Sequence, residues 1–252
     1  MESDKRYRFG NIIFRIVSPQ AFKWDECIDS FMIEEGEKED YIFKIYPESY
    51  LEDSQEVLPV YVKRNQNCME VHIRKSLLSE ITVANLFSAV NVAKLLPEKD
   101  EFVLHASYVL NQEKALLFCA PSGTGKSTQA EFWKRSKDAV IVNEDRVVIF
   151  QQNGIYYAGG CWATGKSRTC LNKTAPIHQI ILLEQGEENR RVDLSSAEKF
   201  TKLIEQCSFA TDNMQICDKI ISLVFDLIAS VPVIGYMCIN DISSVEELEK
   251  YL

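Results

Sequence analysis

Two segments of the 252-residue chain carry a glycine–lysine–serine sequence that could bind phosphate. Residues 120–128 read Ala-Pro-Ser-Gly-Thr-Gly-Lys-Ser-Thr, and residues 160–167 read Gly-Cys-Trp-Ala-Thr-Gly-Lys-Ser. Only the second matches the phosphate-loop pattern Gly-x-x-x-x-Gly-Lys-Ser/Thr at every position, because the first begins with Ala120. Such a loop must leave a strand and enter a helix directly, since its backbone N–H groups and the helix N-terminus together bind phosphate oxygens.

The neighbouring sequence distinguishes the two candidates. An apolar strand is predicted over Lys114–Cys119 and a helix over Ser127–Ser136, on either side of the first candidate. The second is followed by Arg-Thr-Cys-Leu-Asn-Lys-Thr-Ala-Pro, which lacks helical periodicity and reaches Pro176. We therefore predict that residues 120–128 form the phosphate loop. An incidental Gly/Ser turn is the alternative.

The chemistry of each side chain in this loop predicts its role. Lys126 is expected to contact the β- and γ-phosphates, and the Ser127 hydroxyl is expected to bind Mg²⁺. Backbone N–H groups would surround the β-phosphate, with Gly123 and Gly125 supplying the necessary freedom. ATP and Mg²⁺ are thus the expected ligands. The predicted nucleotide-binding residues are Ser122, Gly123, Thr124, Gly125, Lys126, Ser127 and Thr128.

Two acidic residues follow the next apolar segment. The predicted strand Ala139–Asn143 contains Val-Ile-Val and ends in Glu144-Asp145. A carboxylate at this strand end would lie beside the phosphate loop, where it could bind the metal. We predict a metal site made by Ser127, Glu144 and Asp145. A solvated strand cap is the alternative for the two acids.

The first hundred residues are rich in predicted strands. Alternating apolar residues indicate strands over Tyr7–Val17 and Tyr41–Tyr46. A hairpin is predicted from Val60–Lys63 to Met69–Arg74, and apolar residues at helical spacing predict a helix over Ile81–Leu96. We expect this part to cover one face of the core, with peptide binding by strand addition as the less favoured role.

From residue 101 onward, strands, helices and hairpins are mixed. Asn153-Gly154 is a strong hairpin signal, and polar residues over 159–176 predict a long loop. This alternation favours an α/β fold with a mixed rather than a purely parallel sheet. We predict an N-terminal β-rich segment at 1–80 and a phosphate-loop core at 81–252.

Composition excludes several classes of protein. A net charge of −9 disfavours a general nucleic-acid-binding role, which needs a basic face. The opening residues Met-Glu-Ser-Asp-Lys-Arg contain no apolar signal core, and no long uncharged apolar stretch follows. We therefore expect a cytoplasmic protein without a membrane or nucleic-acid partner. Eight cysteines without a Cys-x-x-Cys pair, and three scattered histidines, do not predict a zinc site.

Four segments in order resemble the HPr kinase/phosphorylase superfamily, whose core is similar to that of ATP-dependent phosphoenolpyruvate carboxykinase. The resemblance spans roughly residues 80–252, and among the superfamily it looks most similar to HPr-kinase-related proteins associated with the modification of small peptides. The segments are Leu104–Ser107, Ala120–Thr128, Asn143–Val147, and Gly160–Trp162 with Leu183–Gly186.

The resemblance implies roles for individual residues. Asp145 would be the general base that takes the proton of an acceptor hydroxyl, and His105 would orient or polarise it, with Lys126 completing the catalytic set. Lys166 and Arg168 would stabilise charge on the transferring phosphoryl group, although a solvated basic loop is an equal alternative. For His105 the alternative is a core histidine. Glu144, with its longer side chain, stands where the family usually has Asp.

Some features of HPr kinase itself are missing. The Glu-Ile-Arg-Gly signature that follows its catalytic core is not found, and residues 1–100 do not match its regulatory domain. Phosphorylation of HPr, the reverse phosphorylase reaction and hexamer formation are therefore not implied. The expected partner is a peptide or small protein, and a homo-oligomer is left open.

The sequence thus predicts an ATP- and Mg²⁺-dependent kinase that phosphorylates a hydroxyl, preferably a serine of a peptide or small protein. One alternative keeps this site and takes a small molecule such as free serine. Another is a nucleotide-binding sensor or scaffold without phosphoryl transfer, which the departures at Ala120 and Glu144 keep open. Carboxykinase activity is remote, because no residue set for a small dicarboxylate is found.

Overall fold

The computed structural model describes residues 3–19, 26–34, 36–49, 60–165, 168–209 and 213–252, with backbone alone at residues 26 and 27. The chain divides into two compact units, Met1–Val92 and Ala93–Leu252. Each unit is built on a sheet in which parallel and antiparallel neighbours both occur. The prediction of an α/β chain with a mixed sheet and a strand-rich N-terminal segment is therefore confirmed.

The first unit contains a six-stranded sheet in the order β3-β1-β2-β4-β6-β5. Strands β2, β4 and β6 are parallel, and the other neighbours are antiparallel. The strands are β1 (Ser3–Phe9), β2 (Ile12–Ser18), β3 (Met32–Ile33), β4 (Tyr41–Glu48), β5 (Val60–Asn65) and β6 (Cys68–Arg74), and the helices are α1 (Glu26–Asp29) and α2 (Val83–Ala89).

Two turns in the first unit decide which of its strands were predicted correctly. The prediction of one strand over Tyr7–Val17 is wrong, because Gly10 has a φ of 60° and turns the chain into the β1–β2 hairpin. This left-handed conformation is readily available to glycine. The β5–β6 hairpin is confirmed, and Gln66 in its turn has a φ of 52°.

Helix α2 is shorter than the predicted helix over Ile81–Leu96. The Thr82 side chain caps its first turn by accepting a hydrogen bond from the backbone N–H of Asn85 (3.1 Å). The helix ends at Ala89, and Asn91 then takes a left-handed φ of 52°. Two short 3₁₀ turns follow, at Val92–Lys94 and Leu96–Lys99.

The division between the units lies later than the predicted boundary between residues 80 and 81. Helix α2 belongs to the first unit because its Phe87 is fully buried among aromatic rings of the sheet. The Phe87 ring centroid lies 5.3 Å from that of Phe14, 5.7 Å from Phe43 and 5.8 Å from Phe9. Aromatic pairs at these distances contribute to stability beyond the area they bury.

The second unit contains an eight-stranded sheet in the order β11-β10-β7-β8-β12-β14-β13, with β9 also paired to β7 and β11 to β12. Its strands are β7 (Phe102–Asn111), β8 (Lys114–Cys119), β9 (Val140–Asn143), β10 (Arg146–Gln152), β11 (Ile155–Gly159), β12 (Thr174–Gln185), β13 (Arg190–Val192) and β14 (Val233–Cys238). Its helices are α3 (Lys126–Lys137), α4 (Ser196–Ile204), α5 (Met214–Ser230) and α6 (Ser243–Glu249). Strand β13 was not predicted.

Helices cover both faces of this sheet. On one face Leu117 of β8 belongs to a buried cluster with Val224 of α5. On the other face Phe118, the next residue, belongs to a cluster with Trp133 of α3. Burial on both faces explains the continuous apolar runs Ala115–Cys119 in β8 and Ile180–Leu183 in β12.

Strand direction determines where a site can form. Strands β8, β12 and β14 are parallel neighbours, so their carboxyl ends lie at one edge of the sheet. In α/β sheets this edge is where ligands bind. Within the ranges described above, no helix has the length and apolar character needed to cross a membrane.

Candidate functional site

A glycine-rich loop joins the carboxyl end of β8 to α3. Strand β8 ends at Cys119 and α3 begins at Lys126, so the predicted strand–loop–helix arrangement is confirmed. Gly123 has a φ of 84° and Gly125 a φ of 107°, and a β-carbon at either would touch nothing within 4 Å. The glycines are therefore required by backbone conformation rather than by space. Left-handed residues in a turn ahead of a helix produce the anion-binding arrangement of N–H groups called a nest.

Lys126 is folded back onto this loop. Its Nζ donates to the carbonyl oxygen of Ala120 (2.7 Å) and to that of Pro121 (3.2 Å). The side chain is buried, and burial lowers the pKa of the ammonium group. An ammonium has three N–H donors, so two hydrogen bonds to the loop leave one donor for a phosphate oxygen.

The second glycine–lysine–serine segment has a different setting. Residues 160–165 follow β11, and the described residues between them and the start of β12 at Thr174 form no helix. Cys170 instead forms an isolated bridge with Asn143. The geometry agrees with the prediction that the literal motif match is not a strand–loop–helix element.

Asn143 fixes the turn that carries the two acids. Its buried side-chain Oδ1 accepts from the backbone N–H groups of Asp145 (2.9 Å) and Arg146 (3.0 Å). Its Nδ2 donates to the carbonyl oxygens of Cys161 (3.1 Å) and Ala163 (3.0 Å). One side chain thus ties residues 160–165 to the acidic turn. An asparagine two residues before the N–H that it accepts from forms an Asx turn, so the sequence could have revealed the hydrogen bonds to Asp145 and Arg146 but not those to Cys161 and Ala163.

Asp145 lies between His105 and Arg146. His105 Nε2 is 3.4 Å from Asp145 Oδ1, and Arg146 Nε donates to Oδ2 at 3.2 Å. The hydrogen bond with His105 is the main cause that lowers the pKa of Asp145, and the charge of Arg146 adds to it against the opposing effect of burial. Asp145 is therefore held as a carboxylate.

A segment after α4 holds both of these partners. Gln206 is buried, and its Oε1 lies 3.2 Å from His105 Nδ1, while the Ser208 hydroxyl accepts from Arg146 Nη1 at 2.9 Å. Backbone hydrogen bonds run from His105 N to Gln206 O (2.8 Å) and from Ser208 N to Val103 O (3.1 Å). Sequence reasoning missed these two residues, because they follow an ordinary helix and match no motif.

One cavity of about 400 Å³ connects the loop to the acids. We call it the Asp145 cavity. It brings together most of the predicted site, and Gly165 of the 160–165 segment also lines it. The predicted site residues in its wall are His105, Ser122, Gly123, Gly125, Lys126, Ser127, Thr128, Glu144 and Asp145.

Thr124 and Arg168 are placed otherwise. Thr124 lines a neighbouring cavity that also borders the loop. Arg168 is exposed with a left-handed φ of 57°, and it is not among the described residues that line the Asp145 cavity. Lys166 lies outside the described residues. The predicted phosphoryl contacts of Lys166 and Arg168 therefore stay predictions.

The oxygen donors of the Asp145 cavity suit Mg²⁺. Ser127 supplies a hydroxyl, and Glu144 and Asp145 supply carboxylates, all in one wall. Mg²⁺ prefers oxygen ligands and is commonly bound by one or two carboxylates together with substrate phosphates. Among the described residues no three His, Cys, Asp or Glu side chains are grouped to hold a metal. The oxygen donors of this wall fit a metal that is bound jointly with phosphate.

Comparisons with known proteins give a distant likeness. No protein family and no curated protein matches the chain. Among solved structures, the HPr(Ser) kinase/phosphatase from Coxiella burnetii matches with 13% sequence identity and a TM-score of 0.31, covering 60% of this chain and 99% of that one. This is a distant structural relationship, and the geometry of the Asp145 cavity has to support any function by itself.

Proposed function

We propose that this chain is an ATP- and Mg²⁺-dependent kinase that transfers the γ-phosphoryl group to a hydroxyl, preferably a serine of a peptide or small protein. One observation carries the proposal. The Asp145 cavity joins a glycine-rich loop at a helix N-terminus to a carboxylate held by His105 and Arg146. The first part suits a triphosphate, and the second suits the proton of an acceptor hydroxyl.

The loop would bind the phosphates. Its N–H groups and the N-terminus of α3 attract negative charge, and Lys126 adds a full positive charge in a partly dehydrated position. Because low dielectric strengthens charge interactions, a buried ammonium beside the β- and γ-phosphates stabilises the charge of the transition state effectively.

Ser127, Glu144 and Asp145 would hold Mg²⁺ together with phosphate oxygens. When bound, Mg²⁺ would neutralise charge on the β- and γ-phosphates and orient them for in-line attack. Each carboxylate oxygen of Asp145 already contacts a side chain, His105 or Arg146, so Glu144 and Ser127 are the freer donors of the set.

Asp145 would accept the proton of the attacking hydroxyl. As the acceptor oxygen forms its bond to the γ-phosphorus, the bond from that phosphorus to the β,γ-bridging oxygen breaks, and ADP leaves. A lowered pKa keeps Asp145 ionised at neutral pH, which is the form a base needs. A loose transition state places little demand on the strength of that base. His105 and Arg146 would keep the carboxylate in position.

The acceptor is proposed from the resemblance of the four segments and is open to test. Wild-type protein with Mg²⁺ and γ-labelled ATP is incubated with a pool of serine-containing peptides and, separately, with free serine. Label on a peptide serine supports the proposal. Label on free serine alone would replace the acceptor with a small molecule, and Asp145→Asn should lower either rate by about 10²–10⁴-fold.

The pairing of Asp145 also favours a second function, nucleotide binding without transfer. Both carboxylate oxygens already contact a neighbouring side chain, His105 or Arg146, and these contacts weaken the residue as a base. Such a sensor would bind Mg-ATP tightly and label no acceptor in the same assay. Equal, slow hydrolysis of ATP by wild type and Asp145→Asn would favour this second function.

A further inference from the structure

A second cavity of about 420 Å³ also borders the glycine-rich loop. We call it the Asn240 cavity. Gly123, Gly125 and Thr128 line both cavities, so the two are contiguous around the loop. The new wall comes from the carboxyl ends of β12 and β14, where Gln185 and the residues from Cys238 to Asn240 lie. It is therefore at the ligand-binding edge of the parallel strands.

The two cavities differ in charge. The Asp145 cavity contains His105, Lys126, Glu144 and Asp145. Every described residue that lines the Asn240 cavity is uncharged: glycines, threonines, two glutamines, an asparagine, Cys238 and Ile239. A ligand that spans both would place its charged end in the first cavity and an uncharged, hydrogen-bonding end in the second.

The wall of the Asn240 cavity is fixed by hydrogen bonds. Gln185 Nε2 donates to the Gly123 carbonyl oxygen at 3.3 Å, which joins the end of β12 to the loop. Asn189 Oδ1 accepts from the backbone N–H of Ile239 at 3.0 Å, and Asn189 Nδ2 donates to Ser243 Oγ at 3.1 Å. The wall is thus built by the fold and requires no ligand to form it.

The carboxamides of the cavity are not equivalent. Gln129 is buried, and its carboxamide is already hydrogen-bonded to the Ser244 hydroxyl. Its Nε2 donates to Ser244 Oγ (2.9 Å), and Ser244 Oγ donates to its Oε1 (3.1 Å). Gln129 therefore forms the floor. Gln185 and Asn240 are exposed at the mouth, where their side chains can meet a ligand. A carboxamide can pair with the amino group and ring nitrogen of adenine by two hydrogen bonds.

We infer that the Asn240 cavity binds the nucleoside half of the triphosphate, with Ile239 against the base and the Asn240 carboxamide on the base edge. This inference rests on the proposed function, since it assigns the part of ATP that the Asp145 cavity does not hold. Thr128, which both cavities share, lies where the phosphate nearest the ribose would pass from one to the other.

Binding of Mg-ATP and of Mg-tripolyphosphate to the full chain separates the two halves. Calorimetry is run on wild type, Asn240→Leu, Ile239→Ala and Lys126→Ala. The Asn240 and Ile239 variants should each weaken ATP about tenfold and leave tripolyphosphate unchanged, as expected for loss of one good base contact. Lys126→Ala should weaken both ligands. Gln215→Met, at an exposed position in the first turn of α5, is the matched control and should change neither.

Each failure has its own signature. If wild type binds both ligands but the Asn240 and Ile239 variants lose neither, or lose both equally while their thermal unfolding matches wild type, the nucleoside assignment is wrong and the proposed function stands. If wild type binds neither ligand, the proposed function is wrong and the assignment goes with it. Equal wild-type affinity for ATP and tripolyphosphate would also overturn the assignment, because the nucleoside would then contribute nothing.

Discussion

At the scale of single residues, the site depends on how Asp145 is held. A carboxylate beside His105 and Arg146 stays ionised and has little freedom to rotate, because each oxygen has its own partner. The same contacts reduce its basicity. A phosphoryl transfer with a loose transition state tolerates that loss, whereas a reaction that removes a proton early would not.

The pairing of Asp145 predicts a pH effect on stability. Its pKa is lowered from 3.8 in the folded chain, so its pairing stabilises the fold above that pH and is lost as the pH falls towards the lower, folded value. Asp145→Asn removes this contribution. Urea unfolding of both proteins between pH 7 and the acid range is therefore expected to show a shallower fall in the free energy of unfolding for the variant. Identical pH dependence would mean that the pairing is absent in solution.

Sequence reasoning reached the residues of the loop and the acidic turn because their signals are local. Lys126 and Asp145 each follow an apolar strand within a few residues. Gln206 was missed, because the feature that identifies it is its contact with His105, which lies 101 residues earlier in the sequence. A contact across that separation leaves no periodicity or motif in a single sequence.

At the scale of elements, the glycine-rich loop must keep a left-handed residue directly before α3. Gly125→Ala would strain the backbone by about 1–2 kcal/mol without any clash, since nothing lies near the new β-carbon. We expect weaker ATP binding, because relaxing this strain would turn the loop N–H groups away from the phosphates. Calorimetric titration with Mg-ATP measures the effect.

Gly154→Ala is the matched control for the loop. Gly154 has a φ of 81°, nothing lies within 4 Å of its β-carbon, and it sits in the β10–β11 hairpin outside both cavities. Its backbone strain should be similar. Loss of stability in both variants with loss of ATP binding in Gly125→Ala alone supports the loop. Equal loss of binding would show a general effect of instability.

The segment after α4 positions the pair formed by His105 and Asp145. Gln206→Leu removes the partner of His105 Nδ1, so the imidazole is free to choose another tautomer and orientation. We expect kcat to fall about tenfold or more with the KM for ATP unchanged, because no phosphate contact is altered. Gln206→Glu keeps an acceptor oxygen and should retain more of the rate.

A purely structural role for Gln206 would give a different result. Both substitutions would then lower the thermal unfolding temperature and the rate together, and Gln206→Glu, which buries a charge, would be the worse of the two. The split between kcat and KM, and the order of the two variants, decide between the roles.

At the scale of the whole molecule, each of the two units has buried apolar residues of its own. Phe87 lies in the aromatic cluster of the first unit, and Trp133 lies under the sheet of the second. Both are fully buried, so each substitution by alanine should cost about 3–5 kcal/mol. Scanning calorimetry should show Phe87→Ala lowering one transition and Trp133→Ala another. A single transition lowered by both would mean that the units unfold together.

The parts of the architecture that could be predicted are those that depend on residues close together in the sequence. Strands such as β8 and the β5–β6 hairpin follow from apolar runs and turn residues. The grouping of α2 with the first unit could not be read from the sequence, because Phe87 contacts that unit through rings far away in sequence. The Asn240 cavity could not be predicted, since only the pairing of β8, β12 and β14 brings its residues to the loop.

Binding of Mg-ATP is the most direct test of the central claim, because it needs no knowledge of the acceptor. Isothermal calorimetry compares wild type with Lys126→Ala and with Lys134→Ala, an exposed lysine of the same helix. We expect wild type and Lys134→Ala to bind alike, and Lys126→Ala to bind about 10–100-fold more weakly. Absence of ATP binding by wild type, or equal binding by all three proteins, would contradict the account.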